Sequence, residues 1–204
     1  MTVRAAATPA EALRLLTAGN ARFAADIRRI GRIDPERRSE LVPAQAPFAT
    51  VLGCSDSRVP FEHVFDAGIG DIFAIRNAGQ IADDVVLGSI EFAVVALGTP
   101  LVVVLRHTVC GAIAAARSGE PAETPYLQVL VDAITPSVEL VRDSDPTVEQ
   151  EAVGAAHLEA TMGTIIERSG AVSDAIAEGR LAVVGATYDL ANGRVLVDTI
   201  VGDA

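Results

Sequence analysis

Apolar side chains fall in two rhythms along this chain. Five short runs, at 48–53, 72–75, 101–105, 181–186 and 195–200, are apolar at most positions and rich in β-branched residues, which marks them as strands. Continuous runs such as Leu101-Val102-Val103-Val104-Leu105 lack the alternation of a half-exposed sheet and predict strands covered on both faces. Between the runs the spacing changes to that of helices, at about 85–97, 111–117, 126–141 and 147–168. Strands alternating with helices predict an α/β fold, with a central mostly parallel β-sheet flanked by helices. The pair Asn192-Gly193 predicts a tight turn, so the last strand should fold back as an antiparallel edge strand.

Ahead of the first strand, Thr8 is placed to cap a helix with Pro9 in its first turn and Glu11 reaching back, and Leu13, Leu16 and Phe23 continue at helical spacing. The charged stretch 28–38, with Pro35 inside it, reads as a surface connection. Residues 1–40 thus predict an N-terminal helical arm that reaches another part of the molecule or, as its length suits, packs on a partner subunit, within a single domain over 1–204. Asp145-Pro146 opens the long helix at 147 by the same logic of cap and first-turn proline. Residues 85–105 are long and apolar enough to span a bilayer, but Glu91 and the break Gly98-Thr99-Pro100 argue for a buried helix followed by a buried strand.

Composition narrows the partners. A chain of 204 residues with 50 % hydrophobic content suffices for one core. The net charge of -11 lacks the basic stripe that a nucleic acid or an anionic membrane requires. Met1 to Ala7 lacks the apolar core of a secretory signal, so a cytoplasmic protein is expected.

Chemistry concentrates in Cys54-Ser55-Asp56-Ser57-Arg58 and His107-Thr108-Val109-Cys110-Gly111, which hold both cysteines and one of the three histidines. Both strings follow predicted strands, the end of an open α/β sheet where ligands collect. Two thiolates and an imidazole suit Zn²⁺, and three protein ligands leave a position for a reacting water. A disulfide does not fit a reducing cytosol, and a dithiol redox pair lacks Cys-x-x-Cys proximity. Gly111 opens a good helix former, so its N–H and the helix N-terminus favour charge on Cys110 and can meet a product oxygen. An extended segment would put Asp56 and Arg58 on one side, in two-point geometry. Of the other histidines, His63 falls in a loop or first helical turn, a minor candidate to carry the proton, and His157, within the long helix, reads as a packing or a surface residue.

These two strings, with Gly19-Asn20-Ala21-Arg22-Phe23, Gly70-Asp71-Ile72-Phe73, Ala78-Gly79, Gly88-Ser89-Ile90-Glu91-Phe92-Ala93 and Val184-Gly185-Ala186-Thr187-Tyr188-Asp189, resemble the beta class of carbonic anhydrases over nearly the whole chain. The resemblance implies reversible hydration of carbon dioxide to bicarbonate and a proton by zinc-bound hydroxide. It implies zinc on Cys54, His107 and Cys110, with Asp56 and Arg58 as a dyad that orients the nucleophile, Asp56 becoming a fourth ligand when the site closes. By the same resemblance Gln45, Phe73, Ala78 and Phe92 bind substrate with Gly111, and the protein is a homo-oligomer, dimer or tetramer. Related alternatives are a CS₂ or COS hydrolase of the same fold and a zinc-stabilised dimer without catalysis. Phe92 stands where a tyrosine is common, and Gln80 and Thr108 replace a common asparagine and serine. The chain has no tryptophan, which some members use in a bicarbonate inhibition pocket. Arg106 takes the place of a usual glycine; strand alternation turns it away from His107, toward a carboxylate across a subunit contact rather than into competition with Arg58 for Asp56.

Overall fold

The computed structural model describes residues 8–27, 33–144 and 149–204. One five-stranded sheet runs in the order β2-β1-β3-β4-β5, built from β1 (Ala49–Cys54), β2 (Ile72–Asn77), β3 (Leu101–His107), β4 (Ala182–Tyr188) and β5 (Val195–Val201). All pairs are parallel except β4 with β5, as the sequence pattern predicts. The three central strands are the most apolar runs, and almost every residue in them is buried. Edge strands β2 and β5 are partly exposed, because each lacks a neighbour on one side and full cover on its faces.

Helices cover both faces: α1 (Pro9–Ala24), α2 (Pro35–Leu41), α3 (Phe61–Val64), α4 (Asp84–Glu91), α5 (Gly111–Ser118), α6 (Pro125–Ser144), α7 (Gln150–Arg168) and α8 (Gly170–Ala177). Thr8 caps α1, its hydroxyl accepting the Glu11 N–H at 3.2 Å. Ala12 and Leu16 of α1 join Val51, Val103 and Val184 in one half of the core, while Leu158, Met162 and Ile165 of α7 pack with Val102, Val104 and Val183 in the other. Buried Asn20 ties α1 to the chain beyond it, donating to the Val64 and Gly193 carbonyls and accepting from the Val195 N–H.

Several boundaries differ from the sequence expectation. Pro35 does not sit in a plain connection; it opens α2, capped by the Asp34 carboxylate on the Arg37 N–H at 2.7 Å. Residues 28–32 lie outside the described residues. The long helix begins at Gln150 rather than 147, and Asp145-Pro146 also lie outside the described residues. Segment 85–97 is not buried all round. Val85, Phe92 and Val95 are exposed, and α4 passes into a π-helical turn, Phe92–Ala96, before the chain enters β3. No helix among the described residues is long and apolar enough to cross a membrane. The return from β4 to β5 takes a longer loop than a two-residue turn, closed where the Asp189 N–H donates to the Arg194 carbonyl at 2.8 Å, with Gly193 at φ +73°.

Candidate metal centre

Strands β1 and β3 are parallel neighbours, with Gly53 opposite Leu105, so both end at one edge of the sheet. That shared end delivers Cys54, the last residue of β1, beside His107, the last of β3. Three residues further, the chain has turned and Cys110 stands at the N-cap of α5. The two sulfurs and an imidazole nitrogen lie within 4.8 Å of one another, all on buried residues.

The atoms are prepared for a cation. His107 Nδ1 lies 2.9 Å from the Thr108 carbonyl, so that nitrogen carries the proton and Nε2 presents a lone pair. Nε2 is buried without a hydrogen-bond partner, an arrangement that costs free energy until a Lewis acid or a donor meets it. Cys54 Sγ accepts the Gly79 N–H at 3.4 Å. Hydrogen bonding from Cys110, helped by that amide, outweighs burial and lowers the Cys54 thiol to about 4. Cys110 is pushed upward, first by holding the proton of its hydrogen bond to Cys54 and then by burial, although the Ile113 and Ala112 amides of α5 favour its thiolate. A metal displaces that remaining proton, and a Cys₂His set of buried soft donors fits zinc.

Asp56 lies over the cluster, one carboxylate oxygen 3.8 Å from His107 Nε2. The segment is a turn rather than extended, with the Val59 N–H donating to the Asp56 carbonyl at 3.0 Å. This turn brings the Arg58 guanidinium back onto both oxygens, Nε to Oδ1 at 2.9 Å and Nη2 to Oδ2 at 2.7 Å. The guanidinium holds the Asp56 carboxyl well below the usual carboxylate range. Arg76, which sequence reasoning missed, donates to the carbonyls of Cys54 and Asp56 while its head group stacks over Phe61 at 4.9 Å. The signal was present: a cation directly after the apolar run of β2, in the strand paired with Cys54. Also missed were Gln150 and Glu151 at the start of α7. Gln150 donates to the Cys110 carbonyl at 2.9 Å, and Glu151 accepts the Val109 N–H at 3.0 Å.

The remaining expected residues separate. Ala78 and Gly111 line a cavity of about 530 Å³ together with Ala112, Ala115, Leu127 and Val131. Phe73 and Phe92 touch each other, ring centroids 6.0 Å apart, and neither lines that cavity. Gln45 is exposed in the loop ahead of β1, and His63 is exposed on α3. His157 is a packing residue: buried, it donates through Nε2 to the Gly79 carbonyl at 2.8 Å. Arg106 pairs within its own chain, with Glu151 at 3.0 Å, and makes no contact with Asp56.

Residues 49–195 match the family model described as carbonic anhydrase. The chain is 42 % identical over 198 residues to a carbonic anhydrase of Mycolicibacterium smegmatis, covering 96 % of each. It is 39 % identical to carbonic anhydrase 2 of Mycobacterium tuberculosis, covering 96 % of this chain and 95 % of that one. A tetrameric beta-carbonic anhydrase from Sordaria macrospora superposes with a TM-score of 0.72 at 27 % identity, over 80 % of this chain and 86 % of the other. The Coccomyxa beta-carbonic anhydrase, solved with acetazolamide, shares the fold with a TM-score of 0.74 at 24 % identity, over 83 % of this chain and 80 % of that one.

Proposed function

Because the chain belongs to the carbonic anhydrase family and has its beta-class fold, we propose that it catalyses the reversible hydration of carbon dioxide to bicarbonate and a proton, with zinc held by Cys54, His107 and Cys110. The observation that carries this reading is the convergence of two buried sulfurs and a bare imidazole nitrogen under an arginine-held carboxylate. Zinc bound there would supply the Lewis acidity that brings a water's pKa to about 7 and makes a nucleophile at neutral pH.

Asp56 then accepts a hydrogen bond from the attacking water and aims its lone pair at the carbon of CO₂. Arg58 keeps the carboxylate ionised and in place by two-point contact. Both Asp56 oxygens are engaged by Arg58, which supports the orienting role over the closed arrangement with Asp56 as fourth ligand. Ala78 and Gly111 border the apolar space suited to a neutral gas, and the Gly111 N–H can donate to a bicarbonate oxygen. Gln45, Phe73 and Phe92 complete the substrate pocket only when another subunit brings these surfaces to the cluster. The oligomer, dimer or tetramer, forms one domain per chain over 1–204, with part of segment 1–40 lying on a partner while Ala12 and Leu16 keep α1 on its own core. Free, ionisable thiols at the centre suit a reducing cytoplasm.

Stopped-flow CO₂ hydration across about pH 6.5 to 9, on protein of known zinc content, tests the reading. Activity should rise with pH and be lost in Asp56→Ala. Full zinc occupancy with no hydration anywhere in that window would overturn it and turn attention to CS₂ or COS.

A further inference from the structure

Val109 stands between His107 and Cys110 with its backbone in the left-handed region, φ +56°. A β-branched residue is strained there, and its side chain is exposed, so packing does not hold it. Hydrogen bonds do. Glu151 Oε1 accepts the Val109 N–H at 3.0 Å, and Arg58 Nη2 donates to the Val109 carbonyl at 3.4 Å. The other Glu151 oxygen takes Arg106 Nη1 at 3.0 Å. Arg106 is itself anchored, its Nε donating at 2.7 Å to Thr187 Oγ1, which donates in turn to Asp198 at 2.6 Å. Two arginine–carboxylate pairs, Arg58–Asp56 and Arg106–Glu151, therefore meet on the two sides of one strained residue.

We propose that Glu151, braced by Arg106, is a positioning residue of the metal centre: it holds the Val109 turn that sets Cys110 against His107, and through the Val109 carbonyl it steadies Arg58 over Asp56. The proposal rests on the reading that Cys54, His107 and Cys110 hold zinc. It gives Arg106 a task that a glycine at that position has no side chain to perform. The competing account is that the Arg106–Glu151 pair only ties α7 to β3. The two differ in what happens when the strain is removed, because glycine enters the left-handed region unaided.

The experiment is zinc release from the loaded full-length protein into excess chelator, with the visible spectrum of the cobalt-substituted protein as a second readout. Outer contacts of this kind are typically worth about ten- to a hundredfold in metal affinity. Glu151→Ala should release zinc at least about tenfold faster and shift the cobalt–thiolate bands. Glu151→Gln, whose amide oxygen can still take the Val109 N–H but whose NH₂ group cannot accept from Arg106, should recover part of the loss. In a Val109→Gly background Glu151→Ala should add little. Should Glu151→Ala not fold, Arg106→Gln in the two backgrounds is compared in the same way. Release at the wild-type rate, or an equal effect in both backgrounds, would overturn the positioning role. Failure of the wild-type chain to take up stoichiometric zinc would instead overturn the metal reading on which the proposal stands.

Discussion

His157 shows how one buried side chain reports on the centre without touching it. Its Nε2–H donates to the Gly79 carbonyl, and the N–H of the same Gly79 donates to Cys54 Sγ, so α7 steadies the loop beside a candidate ligand. Burial lowers the His157 pKa below the ordinary 6.5, although the Gly79 carbonyl works the other way. The unfolded chain therefore takes up a proton at a higher pH than the folded one, and the contribution of this residue to stability is intact above pH 6.5 and falls as the pH drops through the window below it. We expect the thermal midpoint to fall more steeply between about pH 7.5 and 5.5 in the wild type than in His157→Gln, each pKa unit of depression being worth about 1.4 kcal/mol. Parallel midpoints for the two proteins across that range would show that His157 is protonated alike in both states. The sequence left packing and surface exposure both open for His157, and the structure decides for packing; what it packs against could not be read, because Gly79 is 78 residues away along the chain.

At the level of elements, close approach of helix to sheet is set by glycines. A Cβ added to Gly185 in β4 would stand 2.6 Å from Met162 Sδ and 3.3 Å from Leu158, so any side chain at 185 would force these α7 side chains, or α7 itself, to shift. Gly185→Ala should destabilise the fold by about 1–3 kcal/mol, measured by urea unfolding, because overpacking pushes α7 outward. Since α7 also brings Gln150 and Glu151 to the ligand turn, the same variant should speed zinc release; stability unchanged from wild type would mean that Met162 moves aside freely. The hydrophobic pattern placed every strand to within two residues: burial on both faces leaves a continuous signal in β1, β3 and β4, and the partly exposed edge strands β2 and β5 still carry apolar runs. It missed α2, α3 and α8, of four to eight residues each, a length at which a helical period is barely built and α5 was legible only through its alanine-rich string.

The whole molecule exposes apolar side chains in patches, among them Val85, Phe92 and Val95 on α4 and its π turn, and Leu196 and Ile200 on β5. Surfaces of this kind on a protein whose structural relative is a tetramer fit burial between copies. Sedimentation equilibrium should therefore give a mass above that of one chain, and Val95→Glu should shift it toward the monomer; a monomeric wild type would remove the homo-oligomer from the reading. The chain's own order determined the α/β class, the antiparallel last strand and the candidate ligands, since these follow from local periodicity and from donor types at strand ends. Tertiary structure alone decided the rest. The parallel register of β1 and β3 brings Cys54 within reach of His107, a turn rather than an extended segment folds Arg58 back onto Asp56, and α7 carries Glu151 across to Val109. Local spacing encodes what a residue can do; which distant partner it does it with depends on packing, and packing is settled only when the whole core closes.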